Sequence, residues 1–304
     1  TIEAGANIHF HSNSGLIVAK NASLISNGEL GNEVLIEGDR LEPNFSEIPG
    51  QWGAIWLRAG SKNNFINNTI IKNASAGIII DSIGSNSTPT LTLKNTQIYN
   101  SSNFGLLGRE TNIYGENVVI NNSGQSSLAC IIGGKYNFIH STFTNYWNNS
   151  LREYPSVLIN NFFTYSENNM IIYETRNLVE ANFTNCIIDG NKNIELLVEK
   201  IEGSDFNYNF KNNLIRFNDF NNTYTEIEEY NFNNLTHYSN NIFNTEPHFK
   251  APENNELFIG ENSEAIGKSL LEGTLLSPLD ILGVTRTNPA DIGAYQHIIF
   301  EEEN

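Results

Sequence analysis

The 304-residue sequence has one methionine, two cysteines and few positive charges, and each shortage excludes something. Cys130 and Cys186 stand 56 residues apart in apolar surroundings. They match neither the paired spacing of a zinc site nor a dense disulfide framework, which leaves two buried free thiols or, as the alternative, one disulfide. Lysine and arginine number 17 against 34 aspartates and glutamates, a formal charge of −17. Such a chain repels a phosphate backbone, which excludes nucleic acid as a partner. An acidic surface can collect Ca²⁺, but no calcium-loop motif is present, so no metal or other cofactor is implied. No stretch approaches the ~20 apolar residues of a membrane helix. Nucleophile elbows and phosphate-cradling glycine loops are absent too. There is no initiator Met or signal peptide, and Thr1–Phe10 already has a strand pattern, as expected of the ordered part of a longer precursor.

What the sequence does have is asparagine, isoleucine, phenylalanine, threonine and serine, a mix that favours strands and turns over helices. One phrase recurs: an apolar residue, any residue, Asn or His, two residues, Ile or Phe, any residue, then usually Asn or Gly. It reads INNTIIKN at 66–73, LKNTQIYN at 93–100, GENVVINN at 115–122 and FIHSTFTN at 138–145, and continues as LINNFFTY at 158–165, FTNCIIDG at 183–190 and FKNNLIRF at 210–217. The anchors are Asn68, Asn95, Asn117, His140, Asn160, Asn185 and Asn212, spaced 27, 22, 23, 20, 25 and 27 residues, a mean of 24.

A period of this length signals a stacked repeat. Short apolar runs at Gly77–Ile80, Gly105–Leu107, Leu128–Ile132, Met170–Tyr173 and Ile194–Val198 supply strands, and no helix of ten residues fits between them. Leucine-rich-repeat spacing is absent. The expected fold is all-β: a single-stranded right-handed parallel β-helix, a solenoid, over residues 1–243. Opening strands fall at Asn7–Phe10, Gly15–Ala19, Val34–Glu37 and Gly53–Leu57, with a surface loop at Leu41–Gln51. Residues 244–304, irregular and with four prolines, read as a C-terminal capping segment of the same domain, covering an open end. The seven anchors would then stack as a structural ladder of side chains bonding above and below, or serve as ordinary turn residues that tolerate left-handed geometry. His140 is expected to act as a structural hydrogen-bonder in that ladder.

Both ends of the chain resemble a known group. Thr1-Ile-Glu-Ala-Gly-Ala-Asn-Ile-His-Phe with Gly15-Leu-Ile-Val, and then Gln51-Trp-Gly-Ala-Ile-Trp-Leu, are similar to the opening of bacterial, Bacteroidetes-type right-handed parallel β-helix surface proteins and lipoproteins. The stretch from Asn240 to Phe249, then Asn262-Ser-Glu-Ala-Ile-Gly and Asp280-Ile-Leu-Gly-Val-Thr-Arg-Thr-Asn-Pro-Ala-Asp-Ile-Gly-Ala-Tyr, resembles their close. The resemblance implies export to a bacterial cell surface, lipid-anchored at the outer membrane, or to the outside of the cell. The anchor itself is not in this sequence. Activities across the wider fold are diverse, so the fold does not deliver a function.

Charges recur 12 to 18 residues after each anchor: Asp81, Arg109 with Glu110, Lys135, Arg152 with Glu153, Glu174 with Arg176, and Glu199 with Lys200. Stacked in register, these would form a mixed-charge column that could bind a polysaccharide or a surface or outer-membrane protein. The plainer alternative is a solvated corner whose opposite charges pair for ~0–1 kcal/mol each. Tyr136, Tyr146, Trp147 and Tyr154 offer aromatic contacts for sugar rings, or pack onto the repeat. Three functions follow: a non-enzymatic surface or extracellular module binding glycan or protein along its long face, a polysaccharide lyase or glycoside hydrolase with its site near residues 109–176, or a structural subunit of an outer-membrane assembly.

Overall fold

A computed structural model describes residues 1–81 and 88–301. The protein is all-β, with one large sheet of parallel strands and, among the described residues, a single short α-helix, Leu271–Leu276, beside three one-turn 3-10 segments. The strands are built from alternating Ile, Leu, Val, Thr and Phe, and each one pairs with the like segment of the next repeat. Asn64–Lys72 pairs with Leu91–Ser101, which pairs with Leu106–Ser123, which pairs in turn with Leu128–Ile139 and Thr142–Asn145.

Register places like residues over like, and three interior rows make the core. One runs Ile36–Ile71–Ile98–Ile120–Phe143–Ile188–Ile215. A second runs Ile55–Ile78–Leu106–Leu128–Val157–Leu196. The third runs Ile66–Leu93–Gly115–Phe138–Phe183–Phe210–Tyr238, its last four rings stacked with centroids 5.5, 5.0 and 5.5 Å apart. Except for Gly115, these residues join one buried hydrophobic cluster. A single repeat exposes its apolar side, and stacking buries it. Gly115, the odd residue of its phrase, has a reason: a Cβ there would meet the Phe138 ring at 2.5 Å.

The anchors Asn68, Asn95, Asn117, His140, Asn185 and Asn212 lie in register and all have φ between 41° and 58°. The Asn side chain tolerates this left-handed turn and bonds locally. Side-chain bonds link Asn117 to Asn95 at 2.9 Å and Asn185 to His140 at 2.9 Å. No bond bridges Asn117 and His140 directly; both reach instead to the C-terminal segment. A second row, Asn73–Asn100–Asn122, also left-handed, is chained by bonds of 3.3 and 2.6 Å.

Asn160 does not share the anchor row. It ends the strand Val157–Asn160, which pairs with Leu128–Cys130 and Leu196–Glu199, and its Oδ1 accepts from the Ile132 amide at 2.9 Å. The step from His140 to Asn185 is 45 residues. Two insertions fill it, a segment at 146–156 and an antiparallel hairpin of Phe162–Glu167 with Met170–Thr175. Two apparent periods of 20 and 25 residues are therefore one long return. Met170–Tyr173 likewise belongs to that hairpin and not to the parallel sheet. Cys130 and Cys186 are both buried and unpaired.

Expected to cover an end, the C-terminal segment lies along the anchor row. The Lys268 carbonyl accepts from Asn212, Leu270 pairs both ways with Asn185, the Leu279 carbonyl accepts from Asn117, and Arg286 donates to Asn117 Oδ1 at 2.7 Å.

Candidate binding faces

Half of the charged column comes together. Asp81 sits beside Arg58, just past the Trp52–Leu57 strand, and Arg109 in the Leu106–Ser123 strand, paired at 3.3 and 3.2 Å, and it also accepts from the Trp56 indole at 3.0 Å. The Arg58 guanidinium lies 4.4 Å from the Trp56 ring centroid. Past the left-handed turn at Glu110, Arg176 pairs with Glu110 at 3.6 Å and with Glu174. Asp81, Arg109, Glu110, Glu174 and Arg176 thus share one edge.

The remaining five lie elsewhere. Lys135 pairs with Glu180 at 2.7 Å in a different set of strands. Arg152 is buried, clamped by Glu195 at 2.6 Å and by the Asn145 and Tyr154 carbonyls. Burial pushes the Glu195 carboxyl upward, against the lowering effect of Arg152. Glu153 lies at the rim of a cleft of about 540 Å³. Glu199 continues the row of Arg109, but Ile131 and Asn160 intervene, and Lys200 turns to Glu202 at 2.6 Å. Strand side chains alternate faces, so a six-residue scatter in spacing distributes charges over different surfaces.

The aromatic group disperses. Tyr136 is fully buried, its hydroxyl donating to the Gly133 and Gly108 carbonyls at 2.9 and 3.2 Å, and it offers no face to a ligand. Trp147 is buried as well, its indole bonded to Ser150. The Tyr146 hydroxyl donates to buried Asp189, which also accepts from Arg216. Tyr154 packs on Leu107, Ala129, Leu158 and Leu197 and lines the cleft beside Glu153.

A second surface went unread in the sequence. Tyr114, Asn137, Asn182 and Asn209 stack in register on the outward side of the sheet that holds the phenylalanine row inside. Each lies three residues before an anchor, a regularity hidden by the abundance of Asn. Asn182 donates to Asn137 Oδ1 at 2.8 Å, and Asn137 donates to Glu180 Oε1 at 2.9 Å. Ion pairs flank the row on both sides, Lys135 with Glu180 and Lys94 with Glu116, the latter at 2.5 Å, and Tyr114 donates to Glu116 at 3.0 Å. Burial opposes ionisation of Glu180, but Lys135 and the two amides outweigh it and hold its carboxyl below the usual range. The Leu271–Leu276 helix forms a wall with Glu272 and Leu276, enclosing a groove of about 410 Å³ along this row and Lys211.

Among the described residues, no group of three His, Cys, Asp or Glu side chains is placed to hold a metal, and no helix is long and apolar enough to cross a membrane. Comparison with protein-family models, curated proteins and solved structures finds no match.

Proposed function

We propose that the chain is a right-handed parallel β-helix and that it works at a bacterial cell surface, or outside the cell, as a non-catalytic module holding a glycan along its long face. The continuous register of like residues supports the winding, and the right hand follows from the crossover rule for parallel strands. The exported setting is supported by the resemblance of the terminal motifs, with membrane contact made only through a lipid anchor.

One observation carries the glycan reading: a groove lined by a row of amides and a phenol, flanked by internally paired charges. Such a surface offers directional donors and acceptors to hydroxyl groups. The enzyme alternative asks for an acid or base available to move a proton. On the charged edge, Arg176 pairs with both Glu174 and Glu110, and Arg109 with Asp81, while Arg152 is sealed in the interior. That edge supports binding better than catalysis.

The test is a panel of soluble polysaccharides incubated with the protein, reading retention by affinity electrophoresis and chain length by size-exclusion chromatography. Retention with unchanged chain length is expected. Shortened chains would overturn the non-catalytic reading, and no retention on any polysaccharide would overturn the glycan reading.

A further inference from the structure

We infer that the groove takes a neutral, unbranched polysaccharide lying parallel to the stacking direction, one sugar unit to each repeat. This deepens the glycan-binding reading and rests on it.

Charge gives the ligand class. The whole chain carries −17, yet this face is balanced: Lys94 against Glu116, Lys135 against Glu180, and Lys211 and Glu272 both among the groove's lining residues. An acidic polymer is repelled by the molecule as a whole and finds no net positive patch here. Breaking either ion pair to free a lysine would strand a half-buried glutamate, which is costly when its partner is removed. What the face offers without such a cost is neutral chemistry: the amides of Asn137, Asn182 and Asn209 and the phenol of Tyr114, all half-buried. An amide presents two donors and a carbonyl acceptor, enough to bond its neighbours and still engage a hydroxyl.

Geometry gives the orientation. Adjacent parallel strands lie about 4.8 Å apart, close to the rise of one hexose unit in an extended chain. Tyr114, Asn137, Asn182 and Asn209 come from four successive strands, so a polymer running along the row meets an equivalent polar group at every unit. Glu272 and Leu276 line the groove beside this row and would hold the chain sideways. The wall is apolar in part, as Leu276 is 58% exposed, and suits the carbon-bound face of a sugar ring.

Calorimetry on the whole protein tests this with a graded series of neutral β-glucan, xylan and mannan oligosaccharides, and with polygalacturonate and chondroitin sulfate as acidic probes. Affinity for one neutral series should rise with length and level off near four units. It should change less than about twofold between about 0.05 and 0.5 M salt, since no ion pair forms with the ligand. Asn182→Ala and Tyr114→Phe should each weaken it at least about tenfold. Arg58→Gln, on the other edge, should leave it unchanged. Asn182→Ala can perturb folding, so its melting temperature is read alongside, and Tyr114→Phe, which removes a single hydroxyl, stands as the independent variant. Preference for the acidic probes, with binding suppressed by salt, would sink the neutral class while leaving glycan binding intact. Neutral binding indifferent to both substitutions would sink the groove as its location. Absence of binding by every probe would sink the inference together with the reading beneath it.

Discussion

His140 takes the place of an asparagine in the anchor row, keeping the left-handed turn at φ 46°; its Nε2 accepts from the Asn185 side-chain amide and lies 3.3 Å from the Thr274 hydroxyl. Unlike asparagine, it titrates. Burial, reinforced by the positive charge of Arg286, holds its pKa well below the ordinary 6.5. A base whose folded pKa is depressed lends stability that is complete above its unfolded pKa. That stability is lost as pH falls from there toward the folded value, because the unfolded chain takes the proton first. Below about pH 6.5 the unfolding free energy should therefore fall by up to about 1.4 kcal/mol per pH unit from this residue alone. Denaturant unfolding at about pH 7.5 and about pH 5.5 measures it. His140→Asn should flatten the difference between the two, and an unchanged slope would remove the residue from the account.

At the scale of elements, the hairpin of Phe162–Glu167 and Met170–Thr175 stands apart from the sheet. Its Asn168–Asn169 turn has both φ angles positive, the geometry that matches hairpin twist. Met170, Ile171 and Tyr173 are 62%, 68% and 53% exposed, and none of its residues joins the main buried core. The base is already closed by the Arg176 amide donating to the Asn161 carbonyl at 2.8 Å. Replacing Phe163–Glu174 with a Gly-Gly link should shift the melting temperature by less than about 3 °C, since what is lost is exposed ion pairing and loop packing. A fall of about 10 °C or more would show that the sheet leans on it.

This hairpin also marks where sequence reading stopped. The repeat was legible because inward residues obey a strict rule: Ile98, Ile120 and Phe143 must stack, and the phrases around them survive in order. Asn160 carries the same phrase in another row, because local pattern does not encode which strand a segment pairs with. The charged column was half legible for a related reason. Asp81 and Arg109 directly follow the paired residues Ile80 and Gly108, whereas Arg152 sits in an insertion with no counterpart in other repeats. The outward row of Tyr114, Asn137, Asn182 and Asn209 was hidden for the opposite reason. It is regular, but asparagine is everywhere, and only register separates a face from a turn.

For the molecule as a whole, each strand of the large parallel sheet pairs with its immediate neighbours, an arrangement that by itself would let distant strands open independently. The C-terminal segment counters this by bonding Asn117, Asn185 and Asn212 at once. It is held in shape by two buried carboxylates: Asp280 accepts the amides of Leu282, Val284 and Gln296, and Asp291 those of Gly267 and His297. Arg286 is the link between segment and row. Burial draws its pKa down to about 10, and it donates to Asn117 Oδ1 and to the Gly293 and Ala294 carbonyls. Arg286→Met preserves bulk but removes a donor from all three. Asn117 Oδ1 keeps Ser277 and the Ala294 carbonyl keeps the Ile281 amide, while the Gly293 carbonyl loses its side-chain donor, at a cost of about 1–3 kcal/mol. Because the segment ties several repeats, the loss should also change cooperativity. Hydrogen exchange should show residues 268–294 opening ahead of the Leu106–Ser123 strand in the variant, where the native protein opens both together. If the variant still unfolds as one unit at the native midpoint, the repeats hold one another without the segment, and the strap is only a cover.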